Sequence, residues 1–306
     1  MKILLFGANG QVGWRLRHKL AGLGEVIALD RASRPWCGDL RDTAGVAASV
    51  AGVAPDVVVN AAAYVEVDRA EDEPDLAYAV NATACESLAR AAARQGAWLV
   101  HYSTDYVFDG SGESPWRETD VPAPLNVYGR SKLAGDEAIL RGTPRHLVLR
   151  TSWVFDSRGR NFAKGILEAA TTRDELMVVA DQWGAPTSAG LIADVTARAL
   201  RAIADAREPE RLAGLYHLAA GGFTDRHGYA RLLLQEAATC GWPLRTTADA
   251  VKAVASADHP TRAARPRNSR LDTTRLRDTF GLDLPAWQDG VRAVVEALAR
   301  QRASST

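Results

Sequence analysis

Cysteine is scarce in this chain: three among 306 residues, Cys37, Cys85 and Cys240. They lie far apart and form no CxxC pair, which argues against a disulfide framework or a zinc knuckle and predicts a reduced, cytoplasmic compartment. Net charge is also missing, because 37 basic and 37 acidic residues cancel. Nucleic acid or an anionic membrane as partner would leave a basic excess, so neither is expected. No apolar run approaches the ~20 residues that span a bilayer. The stretch after Met1-Lys2 is too short and too glycine-rich for a signal peptide. The six histidines show no metal-ligand spacing, and there is no repeat, low-complexity tract or clear linker.

What is present is a regular alternation. Apolar runs at 2–7, 25–30, 56–63, 97–108 and 146–155 are rich in Val, Ile and Leu without strict alternation. Such runs suit parallel strands covered on both faces. Between them lie helical patterns: Val12, Leu16 and Leu20 recur every four residues. Pro74 opens another, with Ala77, Val80, Ala84, Leu88 and Ala91 on one side. Strand and helix in turn predict an α/β fold, a Rossmann-type doubly wound parallel sheet. Residues 1–155 form its dinucleotide-binding part, rejoined by a strand near 214–222. Residues 156–306 form a smaller, intimately packed substrate part, with helices over 161–171, 188–204 and 286–301. The basic segment 261–272 reads as a loop whose Asp272 caps the next helix, and 303–306 as a frayed tail.

Between the first strand and its helix, "GANGQVG" places Gly7, Gly10 and Gly13. Small residues let a backbone approach a pyrophosphate, and a helix N-terminus favours its charge. Asp30 ends the second strand, near the offset at which an acid binds the adenosine ribose; Arg31 beside it suits a 2′-phosphate, so NADPH and NADH are both expected. "NAAA" supplies Ala61, Ala62 and Ala63, small enough to let a cofactor pass. In "VYGRSK", Tyr128 and Lys132 stand four apart, on one face of a helix. An ammonium there lowers the phenol's pKa and makes it a usable acid near neutrality, and it can also bond the nicotinamide ribose. YxxxK alone is a weak pattern. It gains weight from "YSTDYVF", where Thr104 follows a buried strand and can bind a carbonyl oxygen.

These stretches, with "DVVVNAAAYVEVDRAE", "VHYSTDYVFDG", "DQWGAPT" and "RPRNSRLD", resemble the dTDP-4-dehydrorhamnose reductases of the extended short-chain dehydrogenase/reductase superfamily over nearly the whole chain. The resemblance implies that Gly10, Gln11 and Val12 contact the pyrophosphate, Asp30 the ribose, and Asp39 and Leu40 the adenine. It makes Thr104, Tyr128 and Lys132 catalytic. It also implies that Thr104, Asp105, Tyr106 and Trp153 meet the sugar, and that the Arg265–Arg270 loop, with Asn268, meets the nucleotide diphosphate. Clustered arginines supply forked donors for phosphates.

The pattern breaks at two positions. Some family members carry acids that hold Mg²⁺ at a dimer interface, where this chain has Arg15 and Gly190. A guanidinium cannot ligate magnesium, so no Mg²⁺ is expected there, and the chain is expected to be a monomer or weak homodimer. Two other readings remain open. One is a nucleotide-sugar epimerase or 4,6-dehydratase, although a dehydratase has an acid where this chain has Tyr106. The other is a non-catalytic dinucleotide-binding subunit of the methionine adenosyltransferase type.

Overall fold

Ile3, Leu4, Leu5 and Phe6 are all completely buried, because the strand that carries them has helices on both sides. Ile3 and Leu5 face Leu16 and Leu20 of one helix layer, and Leu4 and Phe6 face Val46, Val50 and Leu88 of the other. The structure, a computed structural model, describes residues 1–304.

The strands are β1 (Lys2–Phe6), β2 (Glu25–Leu29), β3 (Val57–Asn60), β4 (Trp98–Thr104), β5 (His146–Thr151), β6 (Val154–Phe155), β7 (Leu176–Val179), β8 (Trp183–Gly184), β9 (Thr187–Ser188), β10 (Gly214–Leu218), β11 (Thr224–Asp225) and β12 (Val251–Val254). The α-helices are α1 (Gln11–Leu20), α2 (Thr43–Val53), α3 (Pro74–Tyr78), α4 (Ala84–Gln95), α5 (Val127–Gly142), α6 (Phe162–Ala170), α7 (Ala189–Asp205), α8 (Arg226–Thr239), α9 (Thr274–Phe280) and α10 (Trp287–Ala303). Six strands make one parallel sheet in the order β10-β5-β4-β3-β1-β2. Helices α1 and α7 cover one face; α2, α4 and α5 cover the other. The chain leaves β1 toward β2 and then crosses back to β3, so strand order reverses between β1 and β3. Ligands of open α/β sheets bind at the carboxyl ends beside such a reversal.

The second half builds its own core from α6, α8 and α10 with the small β7–β12 pair, around Tyr229, Leu233, Val291 and Val295. It is woven into the first half, since β10 pairs in parallel with β5 along Leu215↔Val148 and Tyr216↔Leu149.

Several local expectations shift. The 146–155 run is two strands, broken where Trp153 takes φ +48°. The helix opened by Pro74 is interrupted by a π-turn over Ala79–Thr83. There the Asn81 amide donates to Tyr64 O and Ser131 Oγ and accepts from Tyr64 N. Asp272 does not cap α9: Thr273 is the capping residue, and Asp272 accepts from Thr274 N instead. In the expected tail, Ala303 still ends α10, while Ser305 and Thr306 lie outside the described residues.

Candidate functional site

The β1–α1 turn is made by close backbone approach. Gly7 has φ +82°, and a Cβ on it would lie 2.6 Å from Ala62 N. A Cβ on Gly13 would come within 2.0 Å of Gly7 O, so these two glycines are steric requirements of the turn. Gly10 is different: it is exposed, and a Cβ there would meet one atom at 3.4 Å. Helix α1 starts at Gly10 without a side-chain cap, leaving its first-turn N–H groups free for an anion.

Asp30 lies just past β2, its carboxylate accepting from Asn9 Nδ2 (2.5 Å), Ala32 N and Ser33 Oγ. The Ser33 and Ala32 hydrogen bonds hold its pKa below the ordinary carboxylate value. Arg31 is exposed beside it. Asp39 is gripped by Arg41 at 2.5 Å, and Leu40 is a core residue packed with Val46 and Val50. Neither Asp39 nor Leu40 lines the cleft described next.

That cleft, about 810 Å³, opens at the carboxyl ends of β3, β4 and β5. Gln11, Val12, Ala61, Ala62, Ala63, Thr104, Asp105, Tyr106, Tyr128, Lys132 and Trp153 all line it. Residues up to 142 positions apart in the sequence therefore converge: β4 and β5 end level at Thr104 and Thr151, and β3 stops earlier, with Asn60 registered with His101. Helix α5 delivers Tyr128 and Lys132. Asn126 caps it, accepting from Gly129 N (2.7 Å), while Glu71 Oε1 accepts from Val127 N (2.7 Å). The Asn126 amide also donates to Ala264 O, tying α5 to the arginine loop.

The Tyr128–Lys132 pair is not arranged as expected. Lys132 is fully buried, and its Nζ contacts Tyr102 O (2.6 Å) and His101 Nε2 (3.0 Å) instead of the phenol. Burial raises the Tyr128 pKa, and the chief opposing influence is the Thr104 hydroxyl, not Lys132. The expected depression of the phenol is therefore overturned here, because desolvation outweighs any ammonium. Burial pushes Asp105 up to about 6, against hydrogen bonds from Ser269 and Thr104. Its Oδ2, together with the Ser103 and Thr151 hydroxyls, is buried at the cleft wall without a hydrogen-bond partner among the described residues.

The arginine loop also departs from expectation. Arg265 lies 6.0 Å over the Tyr106 ring and pairs with Asp68 (2.6 Å), without lining the cleft itself. Asn268 and Arg270, expected at the diphosphate, do not line the cleft. Asn268 is buried and donates to Ser111 O and Ser114 O; Arg270 bonds Glu113 O and lies over Trp183. Their polar groups tie the loop to the segment 111–114.

One cleft residue was not foreseen. Arg226, first in α8, lays its guanidinium 3.7 Å over Trp153 and 5.0 Å from Phe162, facing Asp105 and Tyr106. Among the described residues its side chain has ring contacts but no hydrogen bond or ion pair in the protein. A signal existed in the sequence: Asp225 caps α8, and a cation in the first turn opposes the helix dipole. His101 and Asn60 were also missed; both are polar residues inside continuous apolar strands. Arg15 makes a two-pronged bond to buried Asp156 at 2.6 and 2.8 Å. Among the described residues no three His, Cys, Asp or Glu side chains gather as a metal site. No helix among them is long and apolar enough to cross a membrane.

Residues 1–300 match the family model described as RmlD substrate binding domain. The chain is 51% identical to the dTDP-4-dehydrorhamnose reductase of Shigella flexneri, over 97% of this chain and 98% of that one. To the enzyme of the same name from Salmonella typhimurium it is 52% identical, over 96% and 97%. Among solved structures, the Bacillus anthracis dTDP-4-dehydrorhamnose reductase in complex with NADP superimposes with TM-score 0.86 at 30% identity, covering 96% of this chain and 98% of that one.

Proposed function

This chain belongs to the dTDP-4-dehydrorhamnose reductase family, and from that premise we infer that it reduces the C4 keto group of dTDP-4-dehydro-β-L-rhamnose. The product is dTDP-L-rhamnose, and the step is the last in dTDP-L-rhamnose biosynthesis. The observation that carries the reading is the convergence of Thr104, Tyr128 and Lys132 on the same cleft as Gln11 and Val12 at the start of α1 and the Ala61–Ala63 strip.

The residues fit a nicotinamide dinucleotide, which when bound supplies the hydride. Gly10, Gln11 and Val12 hold its pyrophosphate at the uncapped start of α1, and Gly7 and Gly13 keep that turn tight. Ala61, Ala62 and Ala63 flank its path. Asp30 takes the ribose hydroxyls and Arg31 a 2′-phosphate, so NADH and NADPH both serve, as the ionised Asp30 and the exposed Arg31 suggest. Asp39 and Leu40 shape the adenine end from behind. Thr104 orients the substrate carbonyl, Tyr128 gives its proton to the C4 oxyanion, and Lys132 stabilises the phenolate left behind. Asp105, Tyr106 and Trp153 surround the sugar. Arg265 and Arg226 hold the substrate diphosphate, with Asn268 and Arg270 acting by shaping the loop. On this reading 1–155 with the returning strand carry the dinucleotide, and 156–306 mainly the sugar nucleotide. A cytoplasmic monomer or weak homodimer without Mg²⁺ at Arg15 completes the proposal.

The test follows NADPH or NADH oxidation on adding dTDP-4-dehydrorhamnose, with the GDP-linked analogue as control. Oxidation with the dTDP sugar alone is expected; none with either cofactor sinks the reading.

A further inference from the structure

The carboxyl ends of β3 and β4 bury a polar row that the reaction above leaves without a task. Asn60 and His101 are register partners, each 1% exposed, and Lys132 descends onto His101 from α5. One donor in this row has no choice of role. The Ala62 backbone N–H lies 3.2 Å from Asn60 Oδ1, so the amide oxygen faces Ala62 and the NH₂ group faces away from it. That NH₂ meets His101 Nδ1 at 3.1 Å. It can only donate, so Nδ1 carries the lone pair and the ring hydrogen is on Nε2. Nε2 in turn is 3.0 Å from Lys132 Nζ. Two donors cannot share that contact, so Nζ presents a lone pair and donates its own hydrogen to Tyr102 O, 2.6 Å away.

The surroundings agree. Of the groups facing Nζ, Cys85 of α4 is a thiol pushed up to about 11 by burial. Asp136, one turn along α5, is bonded to Arg150 of β5 at 3.0 Å. Tyr128, on the same helix, is held neutral by burial. Burial, then Lys132, keeps His101 from taking a second proton, and burial also disfavours charge on Lys132.

We propose that His101, fixed by Asn60 with its hydrogen on Nε2, holds Lys132 as a neutral amine and is the positioning residue that governs when this lysine becomes charged. The proposal rests on the reading of Lys132 as the partner of Tyr128. Charging proceeds with protons balanced. Asn60, which lines the cleft, turns aside; one proton from solvent enters at Nδ1, and the Nε2 hydrogen passes to Nζ. The products are a neutral ring with its hydrogen on Nδ1 and an ammonium. Turning Asn60 frees the Ala62 N–H, which belongs to the cleft strip, so occupancy of that strip and charge on Lys132 are linked through two side chains.

In protein carrying ¹⁵N-labelled histidine, two-bond ¹H–¹⁵N correlation reads the tautomer directly, with no activity required. Nε2–H is expected for His101 at neutral pH; Nδ1–H in the wild type overturns the proposal. Asn60→Asp accepts from both Ala62 N–H and Nδ1–H, so it is expected to switch the tautomer. It should also move the alkaline limb of single-turnover hydride transfer upward by about one pH unit. In a His101→Phe background that movement should vanish. Its persistence there means the new carboxylate acts by charge alone, and the proposal fails. An Nε2–H ring in a protein without reductase activity leaves the relay standing and removes the functional reading instead.

Discussion

Tyr128, Arg226 and Asp105 share one cleft wall but are expected to fail in different ways. Tyr128→Phe removes the proton donor and keeps the ring. Steady-state assays should show kcat lower by roughly 10²–10⁴, with cofactor binding by fluorescence titration unchanged; wild-type kcat sinks the assignment. Arg226→Gln removes a guanidinium that has only ring contacts in the protein. Its expected cost is mainly a higher KM for the sugar nucleotide, about tenfold or more, as for loss of a charge-assisted hydrogen bond. Asp105 bears on stability. Its pKa is raised by burial to about 6, above the ordinary carboxylate value of 3.8. Between those two pH values the folded protein binds the extra proton, so its stability falls as pH rises through that window and is flat above it. Asp105→Asn should abolish this slope in urea denaturation and add roughly 1–2 kcal/mol at pH 7.5. An unchanged slope contradicts it.

At the scale of elements, the segment 156–161 is a strap lying across the start of α1. Asp156 holds Arg15; Asn161 donates to Gln11 Oε1 at 2.9 Å; Arg158 lies 4.1 Å over Trp14. Arg15→Met leaves the Asp156 carboxylate, 1% exposed, without its cation. With Arg15 itself partly in solvent, the cost should be about 1–3 kcal/mol, read as a lower urea midpoint. Much of this scale was legible in the sequence, and what was missed has one cause. Repeated Val, Ile and Leu announced strands covered on both faces, and the four-residue recurrence at Val12, Leu16 and Leu20 announced α1. The π-turn at Asn81 was not legible, since its partners Tyr64 and Ser131 lie 17 and 50 positions away. The tie of Asn268 to Ser111 and Ser114, more than 150 positions back, was equally hidden. The glycine turn, Thr104, Tyr128 and Lys132 could be found because each belongs to a short local pattern. The Asn60–His101 pair could not, because neighbouring strands give it its meaning, and for Arg226 the sequence held only the indirect sign of a cation in the first turn of α8.

For the molecule as a whole, the cleft draws on both halves of the chain, so a ligand filling it should stabilise both together. A dinucleotide at 100 times its Kd contributes about 2.7 kcal/mol, which for a protein of this size is a Tm rise of about 4 °C. Calorimetry with NADPH and NADH separately should give one cooperative transition raised by either cofactor. A rise with only one of them contradicts dual use.

The pairing of β10 with β5 has a consequence during synthesis. Once residue 151 has left the ribosome, five strands of the sheet are available, but the outer edge of β5, with Leu147, Val148 and Leu149, stays open until residues 214–218 emerge. At translation rates of about 5–20 residues per second, the nascent chain carries that apolar edge for several seconds. An uncovered strand edge is a template for intermolecular pairing, so this interval is when the nascent chain is most prone to aggregate. A chain ended at residue 205 should therefore collect in the insoluble fraction, whereas the full chain, made at the same rate, escapes by closing its own sheet.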